Sequence, residues 1–123
     1  MVETSTLSDN QIDAMMKRIH SVPIIDVPRA KKWDGIFETF HGGLLGTIAD
    51  TVTCWAILTV IGSEAKVATT DFNIRFLRPC NTDVRCVARV IKAGRTMSLS
   101  EAELYDSENN LVAVAQVNYI KLD

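Results

Sequence analysis

The sequence contains few of the residues that form disulfide frameworks or metal sites. It has three cysteines and two histidines among 123 residues, and none of the cysteines lies in a Cys-x-x-Cys pair. Such widely spaced cysteines are typical of reduced thiols in an intracellular protein, where they serve as small apolar side chains. We therefore expect no disulfide and no metal site, with Cys54, Cys80 and Cys86 as packing residues.

Positive charge is also scarce, because 13 lysines and arginines stand against 15 aspartates and glutamates, a formal net charge of −2. DNA- and RNA-binding proteins need cationic surfaces to neutralise phosphates, so we expect no nucleic-acid partner. Residues 1–9 lack the basic segment and apolar run of a secretory signal and the arginines of a transit peptide. We expect a cytoplasmic protein and leave a mitochondrial location open.

Three common catalytic motifs are missing from the chain. It has no Gly-x-Ser-x-Gly nucleophile turn, no phosphate-binding P-loop and no His-Glu-x-x-His zinc motif. Any catalysis must therefore rest on other side chains or on the backbone.

Two elements are predicted in the first 27 residues. Ser8 and Gln11 form a capping-box arrangement at the start of a helix in the region 1–22, and Pro23 ends it. A short strand follows at residues 24–27, and Pro28 weakens it.

The segment 41–61 predicts a long buried helix. Residues 42–61 read GGLLGTIADTVTCWAILTVI, in which Asp50 is the only charged residue. Apolar and small side chains occur on every face, so the helix should be enclosed rather than amphipathic. A membrane span is possible at this length. The glycine pair, the four threonines and the central carboxylate argue against it, so we predict no membrane span.

Residues 67–121 alternate between apolar and polar side chains, as antiparallel strands do. The first strand should place Ala68, Thr70, Phe72, Ile74 and Phe76 on one face and Thr69, Asp71, Asn73 and Arg75 on the other. Further strands are predicted at 84–91, 97–105 and 111–121, with short turns between them. The expected fold class is α+β: a single domain, 1–123, in which a curved antiparallel sheet wraps one long helix. One sheet covers only part of a helix, so the remainder needs a partner.

Asp50 is the first candidate for chemistry. A carboxylate inside an apolar helix is costly unless it is paired or functional. It could act as a general base or as a nucleophile. The alternative is a structural aspartate that accepts hydrogen bonds from neighbouring threonines or from the backbone.

The second candidate is the turn His41-Gly42-Gly43, where the helix begins. A helix N-terminus presents free N–H groups and partial positive charge, and glycine lets a substrate oxygen approach the backbone. These are the requirements for polarising a thioester carbonyl that becomes an oxyanion. A plain helix cap would give the same pattern.

Gly42 and Asp50 lie eight residues apart, which is roughly 12 Å along a helix. One carbonyl therefore cannot contact both residues of the same helix. Two antiparallel helices side by side would place each Asp50 opposite the partner's Gly42. The spacing predicts a twofold homodimer with two equivalent sites at its interface.

The stretch HGGLLGTIAD (41–50) resembles the signature of PaaI-like hotdog thioesterases, the family of the phenylacetate-pathway enzyme. TTDFNIRFLRP (69–79) and KAGRTMSLSEAELYDSENNLVAVAQ (92–116) resemble later strands of that family. The resemblance covers residues 35–121. It implies a hotdog fold, a dimer that often forms a tetramer, and metal-free hydrolysis of acyl-CoA, with coenzyme A present only as part of the substrate.

The resemblance also implies roles for individual residues. Asp50 matches the catalytic acid, Gly42 the carbonyl-polarising amide, and His41 the residue that shapes the turn. Thr69 matches a hydroxyl that positions the water or thioester. The remaining residues implied to contact the substrate are Gly43 and Phe76, and, at the CoA phosphates, Lys92, Gly94, Arg95 and Thr96. A solvated turn is the alternative for Lys92 and Arg95.

One position departs from the family pattern. Relatives often carry Asn or Gln six residues before the histidine, where this chain has Gly35. Either Asp34 or Glu38 takes over that role, or the reaction is altered or slow.

Three functions remain open on the sequence alone. Hydrolysis of an acyl-CoA, or of an acyl group on a carrier protein, fits the His-Gly-Gly turn best. A hotdog enoyl-CoA hydratase or dehydratase also pairs a histidine with an acid. A non-catalytic acyl-CoA-binding domain is the third.

Overall fold

The computed structural model describes residues 10, 24–29, 34, 35 and 39–122. The helix predicted within 1–22 therefore lies outside the described residues, apart from Asn10. The elements after it are one helix and five strands: β1 (Ile24–Val27), α1 (Gly42–Ile61), β2 (Lys66–Phe76), β3 (Val84–Ala93), β4 (Met97–Tyr105) and β5 (Leu111–Leu122).

The strands form one antiparallel sheet in the order β1-β3-β4-β5-β2. This confirms the predicted α+β arrangement of one long helix on an antiparallel sheet. The short strand at residues 24–27 also forms as predicted, and it ends directly before Pro28. β1 and β2 lie at the two edges of the sheet, so β2 has one edge without a partner strand among the described residues.

The core lies between α1 and the sheet. Helix side chains such as Val52 and Ile57 are buried, and they share the core with sheet residues such as Leu104 and Val117. In the single chain α1 is covered on one side only, as expected for a helix on one sheet, and its enclosure by a partner stays a prediction. Gly43, Thr47 and Thr51 are exposed, and their spacing of four places them along one side of the helix. The sheet has only one inner face, so it covers only one side of α1.

By length and composition alone, α1 could cross a membrane, with a mean hydropathy of 1.8 over 18 residues. The same length and composition also occur in core helices. The burial of Leu45, Ala49, Val52 and Ala56 against the sheet is the packing of a core helix.

The predicted faces of β2 are corrected at one point. Thr69 pairs with Tyr119 and Asp71 pairs with Asn118, so Thr70 is an extra residue, a β-bulge. The bulge reverses the alternation, and Thr69 therefore shares the helix-facing side with Phe72, Ile74 and Phe76. Strict alternation had assigned Thr69 to the opposite face, together with Asp71.

Candidate active site

The start of α1 is capped by His41. Its backbone is extended (φ −62°, ψ 131°), and its Nδ1 atom accepts a hydrogen bond from the Gly43 N–H at 2.9 Å. Its carbonyl accepts from the N–H groups of Leu44 and Leu45 at 3.0 and 3.1 Å. Within the described residues, the N–H of Gly42 has no acceptor. The imidazole therefore shapes the turn as an N-cap and leaves one helix-terminal donor available.

Close neighbours favour glycine at residues 42 and 43. A Cβ atom on Gly42 would lie 3.1 Å from Cζ of Phe76, and one on Gly43 would lie 3.0 Å from Nδ1 of His41. The Phe76 ring thus rests against the helix start beside the available amide, and its expected contact with the substrate stays a prediction.

An open groove of about 630 Å³ lies beside Gly42. Its apolar walls come from Phe40, Leu45, Phe76 and Pro79. Phe76 is 50% exposed and forms the outer wall. The groove offers an apolar surface next to a backbone donor, an arrangement that can hold an apolar group whose carbonyl reaches the amide.

Asp50 is held through one of its two carboxylate oxygens. Oδ1 accepts hydrogen bonds from Oγ1 of Thr69 at 2.7 Å and from the hydroxyl of Tyr119 at 3.0 Å. For Oδ2 no hydrogen bond occurs with any residue the structure describes. A hydrogen bond from a threonine is thus present, as the structural alternative for Asp50 expects, and Oδ2 is left available for chemistry. The expected contact of Thr69 with the water or thioester stays a prediction.

Tyr119 is a site residue that the sequence reasoning missed. Its side chain is 2% exposed, and its hydroxyl also bonds Oγ1 of Thr53 at 2.7 Å. The sequence did contain a signal for it: Tyr119 alternates with the apolar Val117 on β5, which indicates that Tyr119 is buried. A buried tyrosine requires a hydrogen-bond partner for its hydroxyl.

Gly42 and Asp50 lie on the side of α1 that faces β2. Gly42 adjoins Phe76, Gly46 adjoins Phe72, and Asp50 bonds Thr69. The helix and β2 therefore run side by side, with the amide at one end of their contact and the carboxylate at the other. Eight helical residues keep these two groups roughly 12 Å apart within one chain.

The predicted CoA-contacting residues lie at the end of β3, where Lys92 pairs with Leu99, and in the β3–β4 turn that follows it. Lys92, Arg95 and Thr96 are exposed. Gly94 donates its N–H to the Met97 carbonyl at 2.8 Å, and a Cβ there would lie 2.6 Å from that oxygen, so the tight turn requires glycine. The exposure of the two cations is compatible with both phosphate binding and a solvated turn.

The β3–β4 turn lies at the same end of the sheet as Thr69. Ala93 pairs with Ser98, Ser98 with Tyr119, and Tyr119 with Thr69. Three inter-strand steps make the separation between Ala93 and Thr69 about 14 Å. The turn is thus near the carboxylate end of α1 rather than the amide end.

Asp34, one of the two proposed substitutes for the missing amide, forms an ion pair with Arg29. The Arg29 side chain also donates to the Asn81 carbonyl at 2.6 Å. Asp34 is thus tied to the loop before β3. Glu38, the other substitute, lies outside the described residues.

The three cysteines are free thiols, with Cys80 and Cys86 buried and Cys54 half-buried. Burial raises the pKa of Cys86 to about 12, and that of Cys54 is raised by burial and by the nearby Asp50 carboxylate. These thiols behave as packing groups. In the part of the chain that the structure describes, no three His, Cys, Asp or Glu side chains cluster as a metal site would need.

A family model described as the thioesterase superfamily matches residues 37–113. Human acyl-coenzyme A thioesterase 13 is 31% identical over 68 residues, which cover 54% of this chain and 48% of the human protein. The chain spans about half to two thirds of the length of the curated relatives that it matches.

Solved structures share the fold. A conserved protein of Pseudomonas aeruginosa has a TM-score of 0.77 at 30% identity, over 80% of this chain and 79% of the other. A Bacillus halodurans protein solved with CoA has a TM-score of 0.76 at 18% identity, over 92% and 84% of the two chains. The helix on its antiparallel sheet is the hotdog fold that the sequence resemblance implies.

Proposed function

This chain belongs to the thioesterase superfamily, and from that premise we propose that it hydrolyses an acyl-CoA to a free acid and coenzyme A. The human relative named as an acyl-coenzyme A thioesterase and the similar fold solved with CoA support this substrate class over an acyl carrier protein.

The observation that carries the proposal is the state of the Asp50 carboxylate. Oδ1 is held by two hydroxyl groups, whereas Oδ2 is not bonded to any described residue. Asp50 attacks the thioester carbonyl through Oδ2 to give an anhydride that water then opens, or it takes a proton from the water that attacks. In the first route coenzyme A leaves as the thiolate and takes a proton from solvent water; in the second Asp50 passes the proton taken from the attacking water to the leaving sulfur.

The Gly42 N–H polarises the thioester carbonyl and binds the oxyanion that develops on it. The capped helix start supports this role of Gly42, because the His41 side chain accepts a hydrogen bond from the Gly43 N–H and leaves the Gly42 N–H available. The groove beside Phe76 receives the acyl group, because its walls are mostly apolar. Lys92, Arg95 and Thr96, exposed in or next to the β3–β4 turn, bind the CoA phosphates, since a nucleotide tail is anionic.

Each site is shared between two copies of the chain. The roughly 12 Å between Gly42 and Asp50 prevents one chain from using both on one carbonyl. A twofold axis beside Thr47, on the exposed side of α1, sets Gly42 of one copy near the partner's Asp50. The Thr47 hydroxyl is satisfied within its helix by the Gly43 carbonyl at 3.0 Å, which suits a closely packed contact. Two such dimers can form a tetramer.

The test is release of free thiol from a panel of acyl-CoAs by the wild type and by Asp50→Asn. We expect the variant to lose at least about 100-fold in kcat, because an amide is neither a base nor a nucleophile here. Asp71→Asn is the matched control, since that exposed carboxylate lies on the opposite face of β2, and its rate should equal the wild-type rate.

Two outcomes would contradict the proposal. One is equal kcat in the wild type and Asp50→Asn. The other is no thiol release by either protein across the panel, combined with hydration of an enoyl-CoA or with binding alone.

A further inference from the structure

Tyr119 lies between the sheet and the Asp50 carboxylate. Its single hydroxyl hydrogen is shared between two acceptors of Asp50, the backbone carbonyl and Oδ1, the latter at 3.0 Å. Thr53, one turn further along α1, bonds the same hydroxyl at 2.7 Å. One phenol thus contacts the side chain and the backbone of Asp50 together.

The surroundings keep this hydroxyl in place and protonated. The tyrosine ring is 2% exposed in the core formed with Ile57 and Val117. Burial raises the pKa of Tyr119 far above its ordinary range, and the nearby Asp50 carboxylate raises it further. Tyr119 therefore remains a hydrogen-bond donor at any working pH.

Thr69 donates to the same oxygen from the other side, at 2.7 Å. Thr69 stands on the exposed edge strand, whereas Tyr119 pairs with it from inside the sheet. Two donors on Oδ1 restrict rotation of the carboxylate, so the two oxygens are not interchangeable.

We propose that Tyr119 is a positioning residue that fixes the Asp50 carboxylate with Oδ1 anchored and Oδ2 directed at the reacting carbonyl. This inference rests on the proposed function of Asp50. Tyr119 itself does not touch the substrate. Its contribution is preorganisation, because a base or nucleophile held in one orientation loses less freedom when the transition state forms.

The test is Tyr119→Phe, which removes the hydroxyl and keeps the ring in the core. We expect kcat to fall about 10- to 100-fold while KM stays within about twofold, because substrate contacts are unchanged. Tyr105→Phe, at the chain's other tyrosine, is the control and should retain wild-type kcat. Circular dichroism and the melting temperature report folding of each variant.

The double variant Asp50→Asn/Tyr119→Phe distinguishes a positioning role of Tyr119, exerted through Asp50, from a general effect on the structure. If Tyr119 acts through Asp50, the double variant has the residual rate of Asp50→Asn alone. A further loss of about 10-fold in the double variant would overturn the proposal.

Thr53→Val provides a second variant should Tyr119→Phe fold poorly. It removes the group that bonds the tyrosine hydroxyl from the other side, and kcat should fall about two- to fivefold. Wild-type kcat in both single variants, with Asp50→Asn strongly impaired, would overturn the role of Tyr119 alone. Wild-type kcat in Asp50→Asn would overturn the proposed function as well.

Discussion

The proposed oxyanion donor at residue 42 is a main-chain N–H, so only proline removes it. Gly42 is the first residue of α1, a position where proline is well tolerated. His41 before it has φ −62° and ψ 131°, a conformation that proline allows in the preceding residue. Gly42→Pro should keep the helix, abolish the donor and lower kcat by about 100- to 1000-fold in a thiol-release assay.

Gly42→Ala is the matched control for that substitution. Its Cβ meets the Phe76 ring at the same 3.1 Å, but its N–H is retained, so it should lose much less activity. Equal losses in Gly42→Ala and Gly42→Pro would mean that crowding of Phe76, and not the amide, sets the rate.

The site residues that the sequence predicts are those whose signal is local. A lone charge in an apolar run points to Asp50, and a His-Gly-Gly turn before a helix points to Gly42. Tyr119 carries no such local signal, because its contact with Asp50 spans 69 residues of chain. Such a contact becomes visible only when β5 and α1 are packed together.

At the scale of elements, the bulge at Thr70 determines which side chains β2 presents to α1. The alternating pattern predicts the strand but cannot count an extra residue, so it assigns Thr69 to the wrong face. The Thr70 side chain donates to the Asn118 carbonyl at 3.1 Å and so ties the bulge to β5. The bulge lets a threonine reach Asp50 on a strand whose next residues present Phe72 and Phe76.

The β4–β5 turn contains a carboxylate whose effect on stability depends on pH. Oδ1 of Asp106 accepts from the N–H groups of Glu108 and Asn110 at 2.9 and 2.8 Å. These bonds, led by that of Asn110, lower the pKa of Asp106 from its ordinary 3.8. Because the pKa of Asp106 is lower in the folded state than in the unfolded state, its carboxylate stabilises the fold fully at pH values above the unfolded-state pKa. That stabilisation is lost as the pH falls through the folded-state pKa.

We therefore expect Asp106→Ala to lower the melting temperature at pH 7. The difference from the wild type should shrink at about pH 3, where protonation weakens the same interactions in the wild type. Thermal unfolding followed by circular dichroism measures both values. A melting-temperature difference that stays constant across this pH range would show that the carboxylate charge does not stabilise the turn.

At the scale of the whole molecule, the uncovered side of α1 is the main feature to explain. The sequence predicts a helix with no polar face, and the sheet covers one side of it. The exposed stripe of Gly43, Thr47 and Thr51 contains no charged side chain, which suits contact with a second copy. The antiparallel pairing of β3 with β4 and of β4 with β5 was also predictable, because short turns join these neighbouring strands. The position of β2 was not, since β2 is followed in the chain by β3 but pairs with β5. How two copies meet depends on a surface that a single chain cannot specify.

The central claim is that one site uses Gly42 of one chain and Asp50 of the other, and mixed dimers test it directly. Gly42→Pro and Asp50→Asn chains, each with a different affinity tag, are produced together, and dimers that carry both tags are isolated. In such a dimer one of the two sites combines an intact Gly42 with an intact Asp50, so about half of the wild-type activity should return. Mixed dimers as inactive as the two parent variants would contradict the shared site.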